Sequence, residues 1–200
     1  MKKTFGIIGA GNIGQTVARH LLKAGYPVIL ANSSGGDSLT EITRSLGAGA
    51  IAGTVLQAAQ ADIVLLSLPW SQVPTLKDIT DWTGKTVIDA TNHFITYAPD
   101  FKVEDLGGKA SSEVVASSLP GAKIVKAFNT IFYKTLAEDP KTLGGNRVLF
   151  VSGSDQASKN EVISVIAALG FAPIDLGTLA EGSKLQQAKG PLATLNLIKY

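Results

Sequence analysis

The sequence has 200 residues, 45% of them apolar and 17% charged, with a formal net charge of +2. That is enough apolar material for one packed domain, and the charge balance carries no signature of a nucleic-acid or anionic-membrane partner. The absence of cysteine excludes disulfides, iron–sulfur ligation and a cysteine nucleophile and fits a reducing cytoplasm, while two histidines far apart in sequence, His20 and His93, leave no expected metal site.

The first element is a strand over residues 5–9. Lys2 and Lys3 precede it, but Gly11, Asn12 and Gln15 break the apolar run too soon for a secretion signal, and no window is long enough for a membrane span. A helix over 12–24 follows, with Ile13, Val17 and Leu21 on one stripe, Arg19 and Lys23 off it, and Gly25 closing it. Residues 27–31 form strand two, 38–46 a helix, 50–53 a short strand and 55–60 a short helix. The most apolar run, 62–68, suits a parallel strand buried on both faces, and Pro69 ends it. Strand five covers 86–90.

The second half is less regular. Residues 91–108 read as a loop, 112–117 as a helix, 123–129 and 147–152 as strands, 156–169 as a helix and 172–176 as a last strand. The tail over 179–200 reads as mainly helical, broken near Gly190-Pro191. Strand–helix alternation of this kind implies an α/β fold, a doubly wound parallel Rossmann-type sheet with a small C-terminal strand and helix extension. No repeat or linker divides the chain, so residues 1–200 are expected to be a single domain, with a core over 1–110 and the extension over 111–200.

Gly9-Ala10-Gly11-Asn12-Ile13-Gly14 is a G-x-G-x-x-G directly after an apolar strand and at the opening of an amphipathic helix, the setting of a dinucleotide turn. Gly9 permits the tight turn, Gly11 leaves room for a pyrophosphate, and Gly14 lets the helix pack on the strand. The free N–H groups of the helix start meet the phosphates. A carboxylate at the tip of strand two would bind a ribose 2′-OH and repel a 2′-phosphate. Strand two ends instead in Asn32, Ser33, Ser34, Gly35 and Gly36, which favours NADP(H), although the same run is also ordinary turn chemistry. Asp37 is placed to cap the next helix. Gly84-Lys85-Thr86 has the look of a P-loop end, but Ile79 stands where its first glycine is needed.

In a doubly wound sheet the ligand crosses the C-terminal strand ends. The segments expected to converge there are Gly9 to Ile13, Asn32 to Ser34, Leu68 to Val73, and Ala90 to His93, which includes Asn92. Pro69 and Trp70 either wall the nicotinamide or anchor a loop, and the strand ending Lys126-Ala127-Phe128-Asn129 closes the other side.

On these segments the sequence resembles the family of NADPH-dependent reductases of the deazaflavin coenzyme F-420. The shared features span nearly the whole chain: the Gly-rich turn, Asn32-Ser33-Ser34, Leu68-Pro69-Trp70, Ser111-Ser112-Glu113, Lys126-Ala127-Phe128-Asn129-Thr130, Asp175-Leu176-Gly177 and a closing helix over 192–197. The resemblance implies NADP(H) binding by the first three segments, a nicotinamide near Ala127 and Phe128, and a hydride acceptor stacked over it. Relatives commonly carry an arginine where this chain has Ser34.

Hydride transfer to a flavin- or deazaflavin-like ring needs orientation and exclusion of water rather than an acid or base, so no catalytic residue is assigned. Reduction of a small carbonyl or imine would need a proton donor such as His93 or Lys126. His93 reads as an exposed loop residue and His20 as solvated on the polar arc of its helix. A non-enzymatic NADP(H) sensor is the third reading. The apolar residues Leu192, Leu195, Leu197 and Ile198 cover either a core edge or the partner of a homodimer.

Overall fold

A computed structural model describes residues 2–200. The first half runs β1 (Phe5–Ile8), α1 (Asn12–Lys23), β2 (Val28–Ala31), α2 (Thr40–Leu46), β3 (Ala50–Ala52), α3 (Val55–Ala59), β4 (Ile63–Leu66) and β5 (Thr86–Asp89). It continues with α4 (Ser111–Ser118), β6 (Lys123–Lys126), α5 (Tyr133–Ala137), β7 (Lys141–Thr142) and β8 (Gly145–Gly153). Then come α6 (Gln156–Ala168), β9 (Ala172–Asp175), α7 (Leu179–Gln186) and β10 (Ile198–Lys199). Two 3-10 stretches, Gly36–Leu39 and Trp70–Leu76, precede α2 and follow β4.

The expected doubly wound sheet is present. Six strands lie parallel in the order β3-β2-β1-β4-β5-β6, the arrangement of dinucleotide-binding sheets. β8 then joins β6 antiparallel, and pairs in turn with β9 (parallel), β7 and β10 (both antiparallel). β1, β2 and β4 carry no polar side chain, because helices cover both faces. In β1, Phe5 and Ile7 pack with α1, α5 and α6, whereas Ile8 faces the opposite layer of α3, α4 and the start of α7. No helix among the described residues is long and apolar enough to cross a membrane.

Gly14 shows how tightly α1 meets β1. A Cβ there would lie 2.1 Å from the Gly9 carbonyl oxygen and 3.3 Å from the Ile7 side chain. Gly14→Ala is therefore expected to destabilise the fold by about 1–3 kcal/mol, the usual cost of overpacking, although alanine is the better helix former. A melting temperature at or above that of the wild type would overturn this.

Three expectations need correction. The tail is not mainly helical: α7 stops at Gln186, and no helix forms over 192–197. Pro191 lacks an N–H, and Lys189 (φ 61°) and Thr194 (φ 67°) are left-handed, so the chain turns back and finishes as β10 on β8. The strand expected over 123–129 ends at Lys126, because Phe128 takes φ 64° and breaks the ladder. His20 is half-buried rather than solvated. Its Nε2 lies 2.7 Å from the Leu136 carbonyl and its ring meets Phe171 edge-on. Burial holds its pKa below the ordinary value.

Candidate functional site

The loops after β1, β2, β4, β5 and β6 line up along one edge of the sheet, because the ladder continues past the strand ends. Gly9 N donates to Ala31 O (2.8 Å), Ser67 N to Ile8 O (2.8 Å), Ala90 N to Leu66 O (3.0 Å) and Ala127 N to Asp89 O (3.2 Å). The segments named from the sequence are thus brought together.

Within the Gly-rich turn the three glycines differ. Gly9 is left-handed (φ 113°), and a Cβ on it would lie 2.1 Å from Ser67 O, so backbone alone fits. Gly14 is closed by Gly9, as above. A Cβ on Gly11 would meet nothing within 4 Å. Gly11 is also the N-cap of α1, with no side chain capping the helix and no acidic residue in its first turn. The chain's own packing does not require a glycine at this point, whereas a phosphate approaching the free N–H groups of Asn12 and Ile13 does. The residues present fit a dinucleotide.

The loop after β2 folds on itself. Asn32 Oδ1 accepts from Ser34 N (3.0 Å), and Asn32 Nδ2 donates to Ser38 Oγ (3.0 Å). The Asn32 amide is therefore spent on loop shape, while Ser33 and Ser34 stay exposed. Asp37, also exposed, lies in the 3-10 turn that follows.

Pro69 is exposed, but Trp70 and Val73 are buried in the layer shared with α3 and α4, with Leu68 packed against it. Trp70 Nε1 donates to Glu104, and its ring meets His93 edge-on at 6.1 Å. Trp70 is thus an anchor under the loop over 91–108. His93 is buried too, at 4% exposure, which corrects the expectation of an exposed loop residue. Burial, and after it the Lys126 ammonium, hold its pKa below the ordinary value against an opposing pull from Glu104. The ring is neutral at neutral pH, and its Nδ1 has no hydrogen-bond partner among the described residues.

Ala127 and Phe128 place their side chains in the core, so this turn offers backbone to a ligand. Three amides hold it. Asn92 Nδ2 donates to Asn129 O and receives Asn129 Nδ2 on Oδ1, both at 3.1 Å. Asn129 Nδ2 also donates to Gln186 O (2.6 Å). Gln186 Nε2 donates to Lys126 O (3.2 Å) and Asn129 Oδ1 (3.1 Å). From the tail, Thr194 N donates to Thr130 O (2.7 Å).

Beneath the turn lies an ion pair whose side chains are both fully buried. Lys126 Nζ donates to Asp89 Oδ2 (3.0 Å) and Thr91 O (2.9 Å). Asp89 further accepts from Ser112 Oγ (2.5 Å), Thr91 N (2.9 Å) and Thr91 Oγ1 (2.7 Å). Sequence reasoning placed Lys126 in the strand end that closes the site and offered it as a proton donor, but passed over Asp89, Gln186 and the support given by Asn129. A charged residue at the end of an apolar strand, as in both β5 and β6, was the signal available.

Residues 4–93 match the family model described as NADP oxidoreductase, coenzyme F420-dependent. A crystal structure of a hypothetical protein from Sinorhizobium meliloti is 44% identical, with a TM-score of 0.93 over 100% of this chain and 97% of that one. A candidate F420-dependent NADP reductase from Arthrobacter shares the fold at 22% identity and a TM-score of 0.78, over 88% of this chain and 86% of that one. Among curated proteins, metalloreductase STEAP3 of Rattus norvegicus is 26% identical over 90% of this chain and 35% of its own length. The chain spans about a third of the length of the curated relatives it matches, 35% and 37% for two of them.

Proposed function

We propose that the chain, whose residues 4–93 match the family model of coenzyme F420-dependent NADP oxidoreductases, binds NADP(H) on its Rossmann fold and transfers a hydride between nicotinamide and a planar acceptor of flavin or deazaflavin type. Gly9, Gly11, Asn12, Ile13 and Gly14 hold the pyrophosphate, and Ser33 and Ser34 meet the 2′-phosphate. Leu68 and Pro69 border the ribose, with Trp70, Val73 and Asn92 supporting the loops behind them, and the Ala127-Phe128 backbone faces the nicotinamide. Bound along this edge, the reduced nicotinamide supplies one hydride, and the ring that accepts it takes the accompanying proton from water.

The observation that carries the acceptor class is the commitment of the nearby titratable groups. Lys126 is tied to Asp89 and the Thr91 carbonyl, and His93 is buried and neutral. An acceptor that needs no proton from the protein suits such a site; an alkoxide does not. The test is NADPH oxidation followed by absorbance, with a deazaflavin acceptor and free FMN in parallel. Oxidation with either supports the reading. No oxidation with both, in a protein that binds NADPH, overturns it.

A second reading, reduction of a small carbonyl or imine, is favoured by one observation, the unpartnered Nδ1 of His93. It requires His93→Gln to abolish turnover of such a substrate, whereas flavin-type turnover survives that change.

Cofactor preference has its own test. Ser33→Asp puts a carboxylate where the 2′-phosphate is assigned, so the NADPH-to-NADH affinity ratio is expected to fall by about tenfold or more. A ratio that does not move would place the 2′-phosphate elsewhere.

A further inference from the structure

Helix α7 buries one stripe, Leu179, Gly182, Ser183 and Gln186, at helical spacing. At Gly182 this stripe comes close to β8. A Cβ there would lie 2.6 Å from the Ser152 Cβ and 2.7 Å from the Leu176 carbonyl oxygen, so a glycine is what lets the helix sit this near the strand. About one turn further on, at the end of α7, stands Gln186, fully buried. A glutamine in such a place needs its amide satisfied. Its Oε1 accepts from Ser152 Oγ (3.0 Å), and its Nε2 donates to Lys126 O (3.2 Å) and Asn129 Oδ1 (3.1 Å). Its main-chain oxygen accepts from Asn129 Nδ2 (2.6 Å).

Lys126 and Asn129, the two residues that this one side chain grips, stand on either side of Ala127 and Phe128. Phe128 is left-handed (φ 64°), a conformation that a residue with a side chain keeps only where its surroundings over-determine it. Here the surroundings are the Gln186 amide, bonded to both ends of the turn, and Asn92 on the other side of Asn129. Between the clamped ends, the N–H groups of Phe128 and Asn129 donate to no backbone oxygen of the described residues. The turn is fixed in shape from outside rather than by a ladder of its own.

We propose that Gln186 is a positioning residue for hydride transfer: it fixes the left-handed Phe128 backbone against which the nicotinamide lies, and so sets the distance and angle at which that ring meets its acceptor. The inference rests on the assignment of the nicotinamide to this turn. Ser152, which bonds the Gln186 amide from β8, is the second member of the device. A small misplacement of reacting atoms lowers the rate even when it originates away from the chemistry. The adenosine end of the dinucleotide is assigned to other elements, the Gly-rich turn and the loop after β2. Gln186 therefore acts on one end of the cofactor and leaves the other as it is.

Gln186→Met keeps the length of the side chain and removes its hydrogen bonds. Adenosine 2′,5′-bisphosphate carries the adenosine end of the cofactor and lacks the nicotinamide, so it serves as the reference probe. Binding of this probe and of NADPH to the full chain is measured by calorimetry, the setting of the reduced nicotinamide by the change in NADPH emission on binding, and kcat with deazaflavin and FMN acceptors. The variant is expected to bind the bisphosphate within about twofold of the wild type, because the two ends are distant and separately held. It is expected to lose the change in NADPH emission and to lower kcat by about tenfold or more. A folded variant that keeps the emission change, or keeps kcat, would overturn the proposal. So would a bisphosphate affinity that falls in step with that of NADPH, the mark of a merely structural residue. A wild type whose NADPH emission does not change on binding would take the nicotinamide off the turn and the proposal with it. If Gln186→Met does not fold, Ser152→Ala, which removes one bond and leaves Gln186 in place, is expected to show the same split on a smaller scale, and its absence overturns the proposal. The two readings fail separately. Turnover of a flavin-type acceptor at the same rate with and without Gln186 removes the positioning role and leaves the hydride reaction. A split between NADPH and the bisphosphate, with no turnover of either acceptor by the wild type, removes the reaction and leaves the positioning role.

Discussion

Gly11→Val is expected to leave the fold intact and to abolish NADPH binding. The backbone at Gly11 (φ −76°, ψ −172°) is extended and open to any residue, and a Cβ there meets no atom of the described residues within 4 Å. Stability should stay within about 0.5 kcal/mol of the wild type, as for an exposed substitution that breaks nothing. The valine would stand between the start of α1 and the pyrophosphate. Charge-assisted hydrogen bonds contribute about 1.5–3 kcal/mol each, so losing one or two weakens NADPH by roughly a hundredfold or more. Titration calorimetry together with a thermal melt separates the two effects. Unchanged affinity would remove the phosphates from this turn. A large loss of melting temperature would make Gly11 structural, as Gly14 is.

Breaking the Asp89–Lys126 pair should give the largest stability loss of any conservative single change in the site. Lys126→Met leaves Asp89 without its cation and Asp89→Asn leaves Lys126 without its anion, each fully buried. Removal of one partner of a buried pair costs about 3–5 kcal/mol, a large share of a domain's total stability. The double variant should cost less than the sum of the two, because the second change removes the charge stranded by the first. Urea unfolding of the four proteins measures this, and additive losses would show that the two side chains are not coupled. The pair also sets an acid limit. Burial alone would raise the Asp89 pKa, but Lys126, with Ser112 and Thr91, outweighs it and holds the carboxyl below its ordinary value. The contribution is therefore complete above the unfolded-state pKa of about 3.9 and fades only as pH falls through the lower folded value. In Lys126→Met burial is left with less opposition, so acid unfolding should begin at higher pH than in the wild type.

Most of the parallel half was legible because its signals are local. Each of the first six strands is a short apolar run, and the glycines of the first turn stand at fixed spacing beside a strand and a helix. What escaped depends on distant partners. The 91–108 loop shows nothing in sequence to bury His93; the burial comes from Trp70, 23 positions earlier, and from Glu104, which together cover it. Lys126 and Asp89 are 37 residues apart, and their pairing exists only because β5 and β6 lie side by side. The tail carries helix-compatible leucines, but two left-handed residues and the free edge of β8 prevail over propensity. The indole hydrogen bond from Trp70 to Glu104, 34 positions away, is likewise invisible in the sequence.

The hydrogen bond from Thr194 to Thr130 and the pairing of β10 with β8 also bear on the order in which a ribosome delivers the parts. The turn over 127–130 leaves the exit tunnel long before residues 194–199, which complete its support. The six parallel strands and their helices can assemble as they emerge, since each pairs with segments already made. The turn over 127–130 lacks this last support until the tail emerges. A nascent chain arrested before residue 194 should therefore have its parallel sheet in place while the 127–130 turn still lacks the hydrogen bond from Thr194.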